Sequence, residues 1–292
     1  MLERRFIVVL LIGIYSHITA LCAGITYTNA DSVRVVRMLE DGLKQMEGTN
    51  MMTYYGMRMQ GIPYVAHTLE VNKKEQLVVN MREMDCTTFV ETVLALALTT
   101  RDRSRRWEDY CRWLERIRYQ QGRVEGYASR NHYFLWWAEN NEKQGIVTLP
   151  LRKTACKYAR EQVIHIDYMS AHPSYYKMLK GNVTDIAAIK KMEKASDGKV
   201  MKYIPAANIG LSEKQLNCIR TGDILAIATK KKGLDTTHIG IAVWGKDGKL
   251  HLLNASQIHK KVILEPKTMR QYMNEHPSQL GVWVIRPVLN NE

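Results

Sequence analysis

The sequence predicts an α+β fold, with helices first and an antiparallel meander afterwards. Three observations predict it. Apolar residues recur at helical spacing in the first third, one run there is apolar nearly all round, and short β-rich runs separated by turns begin at Gly222.

The elements follow in order. Val33, Val36, Leu39, Leu43 and Met46 predict a helix over residues 31–46. Gly61-Ile-Pro-Tyr64 reads as a turn and Leu77-Val-Val-Asn80 as a short strand. Asp85 then opens a helical run to Leu98 whose Phe89, Val90, Val93, Leu94, Leu96 and Ala97 leave no polar face, as in a helix buried inside a domain. A polar helix over 104–121 carries Trp107, Cys111 and Leu114 on one side, and 150–200 is a Lys-rich mixture of helix and loop. Strands are expected at Asp223-Ile-Leu-Ala-Ile227, His238-Ile-Gly-Ile-Ala-Val-Trp244, Leu250-His-Leu-Leu-Asn254, Val262-Ile-Leu264 and Val282-Trp-Val-Ile285, with a hairpin turn at Gly245-Lys-Asp-Gly248.

With 46% hydrophobic residues over 292 positions the chain can bury a core, which excludes a disordered class. Lys and Arg number 42 against 29 Asp and Glu, and the net charge of +13 suits an anionic partner such as cell-wall polymer, acidic lipid or nucleic acid. No nucleic-acid-binding motif accompanies the charge, so nucleic acid is not expected as a partner. Arg4 and Arg5, the apolar run from Phe6 to Tyr15 and the small residues Ala20, Ala23 and Gly24 resemble a cleaved secretory signal peptide over residues 1–23. The rest, 24–292, is read as one domain of an exported, periplasmic protein, monomeric and without stable membrane insertion. Cys22 raises a lipid anchor as the alternative, though Leu21 before it is larger than such sites usually accept. Neither a C-x-x-C pair nor an H-E-x-x-H signature occurs, so no metal site and no cofactor are expected. Whether Cys156 and Cys218 pair stays open, and Cys111 reads as core.

The chemistry centres on Met84-Asp-Cys-Thr-Thr-Phe-Val-Glu91. Asp85 suits an N-cap, which puts Cys86 in the first turn of the buried helix, where free N–H groups and the helix dipole favour a thiolate. A histidine in reach makes such a cysteine a nucleophile, and without one it is a small inert core residue. His238, at a strand start, is the candidate base, and Asn254 on the next strand can fix its tautomer, with Ser256 a weaker neighbour. His165-Ile-Asp167 mimics an acid–base pair, but nothing ties it to a nucleophile.

Asp85-Cys86, Gly222-Asp223-Ile-Leu, Thr237-His238-Ile-Gly-Ile and Asn254-Ala-Ser256 together resemble the NlpC-type branch of the papain-like cysteine peptidases and amidases. Asp85-Cys-Thr-Thr-Phe-Val-Glu91, Tyr127-x-x-Arg130-x-His132-Tyr133 and Tyr64-x-x-x-Thr68-Leu-Glu70 are similar to a narrower bacterial family, the N-acetylmuramoyl-L-alanine amidase-like proteins, over residues 30–290. Cys86 and His238 lie 152 positions apart, farther than in compact NlpC domains, which implies a large helical insertion at about 100–215.

The resemblance implies a papain-like core with the cysteine helix packed on an antiparallel sheet. It also implies acyl transfer by Cys86, His238 and Asn254 on the amide between the muramoyl lactyl group and L-alanine of muropeptides, anhydro-type ones foremost. Arg130, His132, Tyr133, Tyr64, Asp85 and Ser256 are the candidate substrate contacts, Arg130 for a stem-peptide carboxylate. Two alternatives remain: a γ-D-glutamyl-diaminopimelate endopeptidase of the same superfamily, and a non-catalytic basic protein that binds wall polymer.

Overall fold

A computed structural model of the chain describes residues 24–153 and 156–289. The leader expected over 1–23 lies outside them. The helices are α1 (Asn29–Gly42), α2 (Met51–Arg58), α3 (Cys86–Arg101), α4 (Trp107–Arg118), α5 (Phe134–Lys143), α6 (Pro150–Lys153), α7 (Tyr168–Ala171), α8 (Val183–Ser196) and α9 (Met269–Asn274). The strands are β1 (Ile25–Thr26), β2 (Leu77–Val78), β3 (Val147–Thr148), β4 (Arg160–Val163), β5 (Val200–Pro205), β6 (Ile224–Thr229), β7 (Thr236–Trp244), β8 (Leu250–Ser256), β9 (Lys261–Leu264) and β10 (Gln279–Pro287).

The main sheet runs β4-β5-β10-β6-β7-β8-β9, with β3 also on β10 and every pair antiparallel. Its centre is buried on both faces. Along β6, Ile224, Ala226 and Ala228 join the core that includes α3, while Leu225 and Ile227 join a second core with Leu216, Cys218 and Met269. Alternating side chains thus both meet apolar partners, which is why β6 reads as an unbroken apolar run. Gly222 precedes β6 at φ +94°, where a β-carbon would strike the Asn50 side chain. Asp223 follows as a clamp: both carboxylate oxygens accept from Arg286 on β10, at 2.8 Å each. The Gly-Asp pair of the motif therefore ties the entry of one central strand to the end of its neighbour.

Every residue of α3 from Thr88 to Thr99 is buried, as its apolar composition predicts. The one acidic or basic side chain among them, Glu91, accepts from Arg118 Nε at 2.7 Å, and Arg118 also donates to the Val78 carbonyl. Burial pushes the Glu91 carboxyl upward and Arg118 opposes it.

The expected face of α1 is corrected. Asp31, Val35, Met38, Leu39 and Gly42 are buried, whereas Val33, Leu43 and Met46 are exposed. Asp31 closes a capping box with Thr28 and accepts the Met81 N–H at 2.9 Å and Arg82 Nε at 3.2 Å. Turning that carboxylate inward rotates the helix away from the phase its apolar spacing suggested. The helix also ends at Gly42, short of the predicted 46, where the absent side chain admits the Tyr55 ring. No helix among the described residues is long and apolar enough to cross a membrane.

Candidate active site

Cys86 is the first residue of α3, placed there by its cap. Asp85 Oδ1 accepts the Thr88 N–H at 2.8 Å and Thr88 Oγ1 accepts the Asp85 N–H at 2.9 Å. Phe89 N–H returns to the Asp85 carbonyl. The N–H groups of Cys86 and Thr87 come ahead of that first bond, in the turn that a helix leaves to outside acceptors. Asp85, a candidate substrate contact, thus spends one carboxylate oxygen fixing the cysteine's position.

His238, on β7, lines the same cavity as Cys86, close enough for the two to affect each other's charge, and its Nε2 lies 2.9 Å from Asn254 Oδ1 on β8. The Asn254 amide nitrogen donates to the Leu252 carbonyl, which leaves Oδ1 as the acceptor facing the ring. An amide oxygen can only accept, so Nε2 carries the proton and Nδ1 is left for the thiol. Burial would lower the His238 pKa, but the Cys86 charge, the hydrogen bonds to Cys86 and Asn254, and Asp85 outweigh it, and the net shift is upward. Gly240 makes room between these strands, since a β-carbon there would sit 2.8 Å from both Leu252 and the Leu253 carbonyl.

Cys86 and His238 open on a cavity of about 210 Å³. Thr87, Leu234, Asp235, Thr236 and Thr237 line it beside them. Asn131, His132, Tyr133, Phe134, Trp137, Met169 and Tyr176 complete the lining with Ile239. Tyr64 lies near Cys86 from outside this lining: its phenol is pushed up to about 12 by burial and by the charges of Cys86 and Asp85. Its N–H donates to the Lys260 carbonyl at 2.9 Å.

The other expected contacts divide. His132 lines the cavity; its Nε2 lies 2.8 Å from the Tyr127 carbonyl, so the donor is again Nε2–H and Nδ1 is an open acceptor. Burial first and then Arg130 lower its pKa to about 3, which keeps the ring neutral. Tyr133 also lines the cavity, but its hydroxyl is engaged behind the wall, donating to Glu193 at 2.7 Å and accepting from the Met169 N–H at 2.9 Å.

Arg130 is absent from the lining. Its guanidinium donates twice to Glu75, at 2.6 and 2.9 Å, and covers the Tyr127 ring at 4.9 Å, while Tyr127 donates to Glu70 at 3.1 Å. The two motifs around Glu70 and Arg130 therefore pack on one another as a buried ion-pair network that props His132, and the arginine has no free face for a substrate carboxylate. Thr68 beside it has a buried hydroxyl with no partner among the described residues. Ser256, also outside the lining, accepts the His259 N–H at 3.2 Å in the turn after β8. His165 faces Asp197 at the surface, at 2.7 Å, away from any nucleophile.

Asn131 and Asp235 belong to the lining and were not among the expected contacts. Asn131 stood inside the quoted motif, between two named residues. Asp235 accepts the Leu135 N–H at 2.7 Å at the start of α5 and the Thr236 N–H at 2.7 Å, joining α5 to the start of β7, and burial pushes its carboxyl up to about 6. Its position three residues before His238 was the available signal. Met169 and Tyr176 arrive from the Lys-rich stretch, whose pattern carried no signal. No cluster of three or more His, Cys, Asp or Glu able to hold a metal occurs among the described residues.

A family model described as N-acetylmuramoyl-L-alanine amidase-like matches residues 54–282. Among solved structures, the chain is similar to an N-acetylmuramoyl-L-alanine amidase from Bacteroides uniformis at 36% identity, over 85% of this chain and 99% of that one, with a TM-score of 0.75. A Bacteroides fragilis protein described as a xylanase matches at 39% identity over 80% and 99%, with a TM-score of 0.74. A Legionella pneumophila protein at 19% identity, covering 89% of this chain and 94% of that one, shares the fold with a TM-score of 0.65. No curated protein matches.

Proposed function

The chain belongs to the N-acetylmuramoyl-L-alanine amidase-like family, and from that premise we propose that it is a cysteine-dependent amidase. It hydrolyses the bond between the muramoyl lactyl group and L-alanine in soluble muropeptides, anhydro-type ones foremost, on a papain-like NlpC core. The observation that carries this reading is the convergence of Cys86, at a helix N-terminus, and His238, held by Asn254, on one cavity.

His238 Nδ1 takes the thiol proton, and Cys86 Sγ attacks the lactyl carbonyl. The N–H groups at the start of α3 stabilise the oxyanion, in a position where neither is needed by the helix itself. The imidazolium then protonates the amine of L-alanine, which leaves as free stem peptide. Water, deprotonated by the same Nδ1, attacks the thioester and releases the muramoyl acid. Asn254 holds Nε2–H throughout, so a single tautomer serves both half-reactions.

The residues read as an insertion supply Asn131, His132, Tyr133, Phe134, Trp137, Met169 and Tyr176 to the lining, so they set specificity. Because Arg130 is committed to Glu75, discrimination falls to neutral acceptors and aromatic faces around His132 and Tyr176. The net positive charge draws the anionic fragments from solution, in a periplasmic setting.

Mass spectrometry of defined muropeptides, with and without the anhydro end, tests the bond. Intact stem peptide plus sugar lacking any amino acid is the expected product pair. A dipeptide left on the sugar would assign the chain to endopeptidases. Unchanged substrate alongside tight binding would favour the non-catalytic wall-polymer reading.

A further inference from the structure

Two cysteines outside the cavity meet at the back of the sheet. Cys156, half-buried just after α6, has its Sγ 3.0 Å from Sγ of Cys218, which is buried in the loop before β6. Both belong to the second core, with Leu151, Leu216 and Ile219 around them. Arg286 donates to the Cys218 carbonyl at 3.2 Å while holding Asp223, so one member of the pair is anchored to the centre of the sheet. The other sits on a short loop closed by the Ala159 N–H to the Cys156 carbonyl at 2.9 Å. Among the described residues no third ligand gathers at the two sulfurs to make them a metal site.

We propose that Cys156 and Cys218 form a disulfide bond that staples the segment between them to the central sheet. The two are 62 positions apart, and the loop they close contains β4, α7, α8 and β5. That segment includes the outer edge of the sheet. β4 pairs only with β5 within the sheet, and its Arg160, Glu161 and Val163 are exposed. Yet it also delivers Met169 and Tyr176 to the cavity wall. A covalent bond between its two ends restricts the unfolded chain more than the folded one, and so favours the arrangement in which the wall is complete.

The oxidant is a disulfide donor such as glutathione disulfide or a dithiol oxidase. The more accessible Cys156, as thiolate, attacks one donor sulfur, breaking the donor S–S bond and expelling one thiolate. Cys218 then attacks the Cys156 sulfur of the mixed disulfide and expels the second thiolate. Two electrons pass to the donor, which leaves as two thiols carrying the two cysteine protons. Burial pushes the Cys218 thiol up to about 12, which fits its role as the resolving partner, attacking only when the target sulfur is already beside it. Cys86 faces the cavity and Cys111 lies buried on α4, far from this pair in the fold.

The test needs no assumption about the reaction catalysed. The purified protein is incubated with glutathione disulfide, alkylated, and mapped by peptide mass spectrometry without reduction. A linked Cys156–Cys218 peptide is expected, and a Tm on the order of 10 °C above that of the dithiothreitol-reduced protein. In Cys156→Ser, at the half-buried position, the reductant should leave Tm unchanged, and this variant remains informative if Cys218→Ser fails to fold. Alkylation of both cysteines after oxidation, a linkage through any other cysteine instead, or a linked form with no gain in Tm would each overturn the proposal.

Discussion

Two histidines face the same cavity and meet opposite electrostatic fates. Both are largely enclosed, and burial acts downward on each. At His238 the thiol of Cys86 and the amide of Asn254 reverse that effect, and the proton is held more tightly than in water. At His132 the neighbour is the Arg130 guanidinium, which adds to burial and leaves a neutral ring at about 3. The two rings lining one cavity are therefore shifted in opposite directions, His238 upward and His132 downward. Identical side chains acquire different chemistry from what stands behind them.

The strongest way to break this contrast is to remove the reactive pair. Cys86→Ala or His238→Ala should lower kcat/KM on muropeptides by about 10³-fold or more, with the melting transition little changed. Wild-type turnover in both variants would end the catalytic assignment. Asn254→Ala should cost less, on the order of 10²-fold in kcat, because the base survives but its orientation does not.

Arg130→Ala tests whether the network that props His132 is structural. Leaving Glu75 buried without its partner should cost about 3–5 kcal/mol in chemical denaturation. The fraction that folds should keep most of its kcat; a selective rise in KM with unchanged stability would instead restore Arg130 as a substrate contact. The smallest effect is in pH dependence, and the two histidines should act with opposite sign. Relative to the ordinary value of 6.5, the His238 contribution to stability is complete below that pH and fades as pH rises through its raised folded value. The His132 contribution is complete above 6.5 and fades as pH falls towards about 3. Denaturation midpoints from pH 4 to 8 should therefore lose their alkaline-side decline in His238→Gln and part of their acid-side decline in His132→Gln.

Much of the fold was legible because its centre is written in local patterns. The apolar run of α3, the cap at Asp85 and the β-rich runs after Gly222 all require what they became. Cys86, His238 and Asn254 were likewise legible as candidates from residue type and element ends, and the structure brings Cys86 and His238 to one cavity with Asn254 against the His238 ring. The misreadings have a common cause. The buried side of α1 follows a carboxylate, Asp31, whose partners lie some fifty positions away at Met81 and Arg82. β4 escaped notice since Arg160-Glu161-Gln162-Val163 is an edge strand with no apolar face to pattern. Arg130 looked like a substrate clamp for want of any local sign that Glu75 would claim it.

By itself the sequence determined which residues could do chemistry and the elements that carry them, since capping, periodicity and turn propensity act within a few residues. Tertiary structure alone decided which charges are spent on one another and which side chains wall the cavity. Those outcomes depend on desolvation and on partners far along the chain, as when Arg130 meets Glu75, Asp235 meets the start of α5, and Met169 and Tyr176 join Cys86 around one cavity. A charged group declares its type in the sequence, but its role is set by the company that burial forces on it.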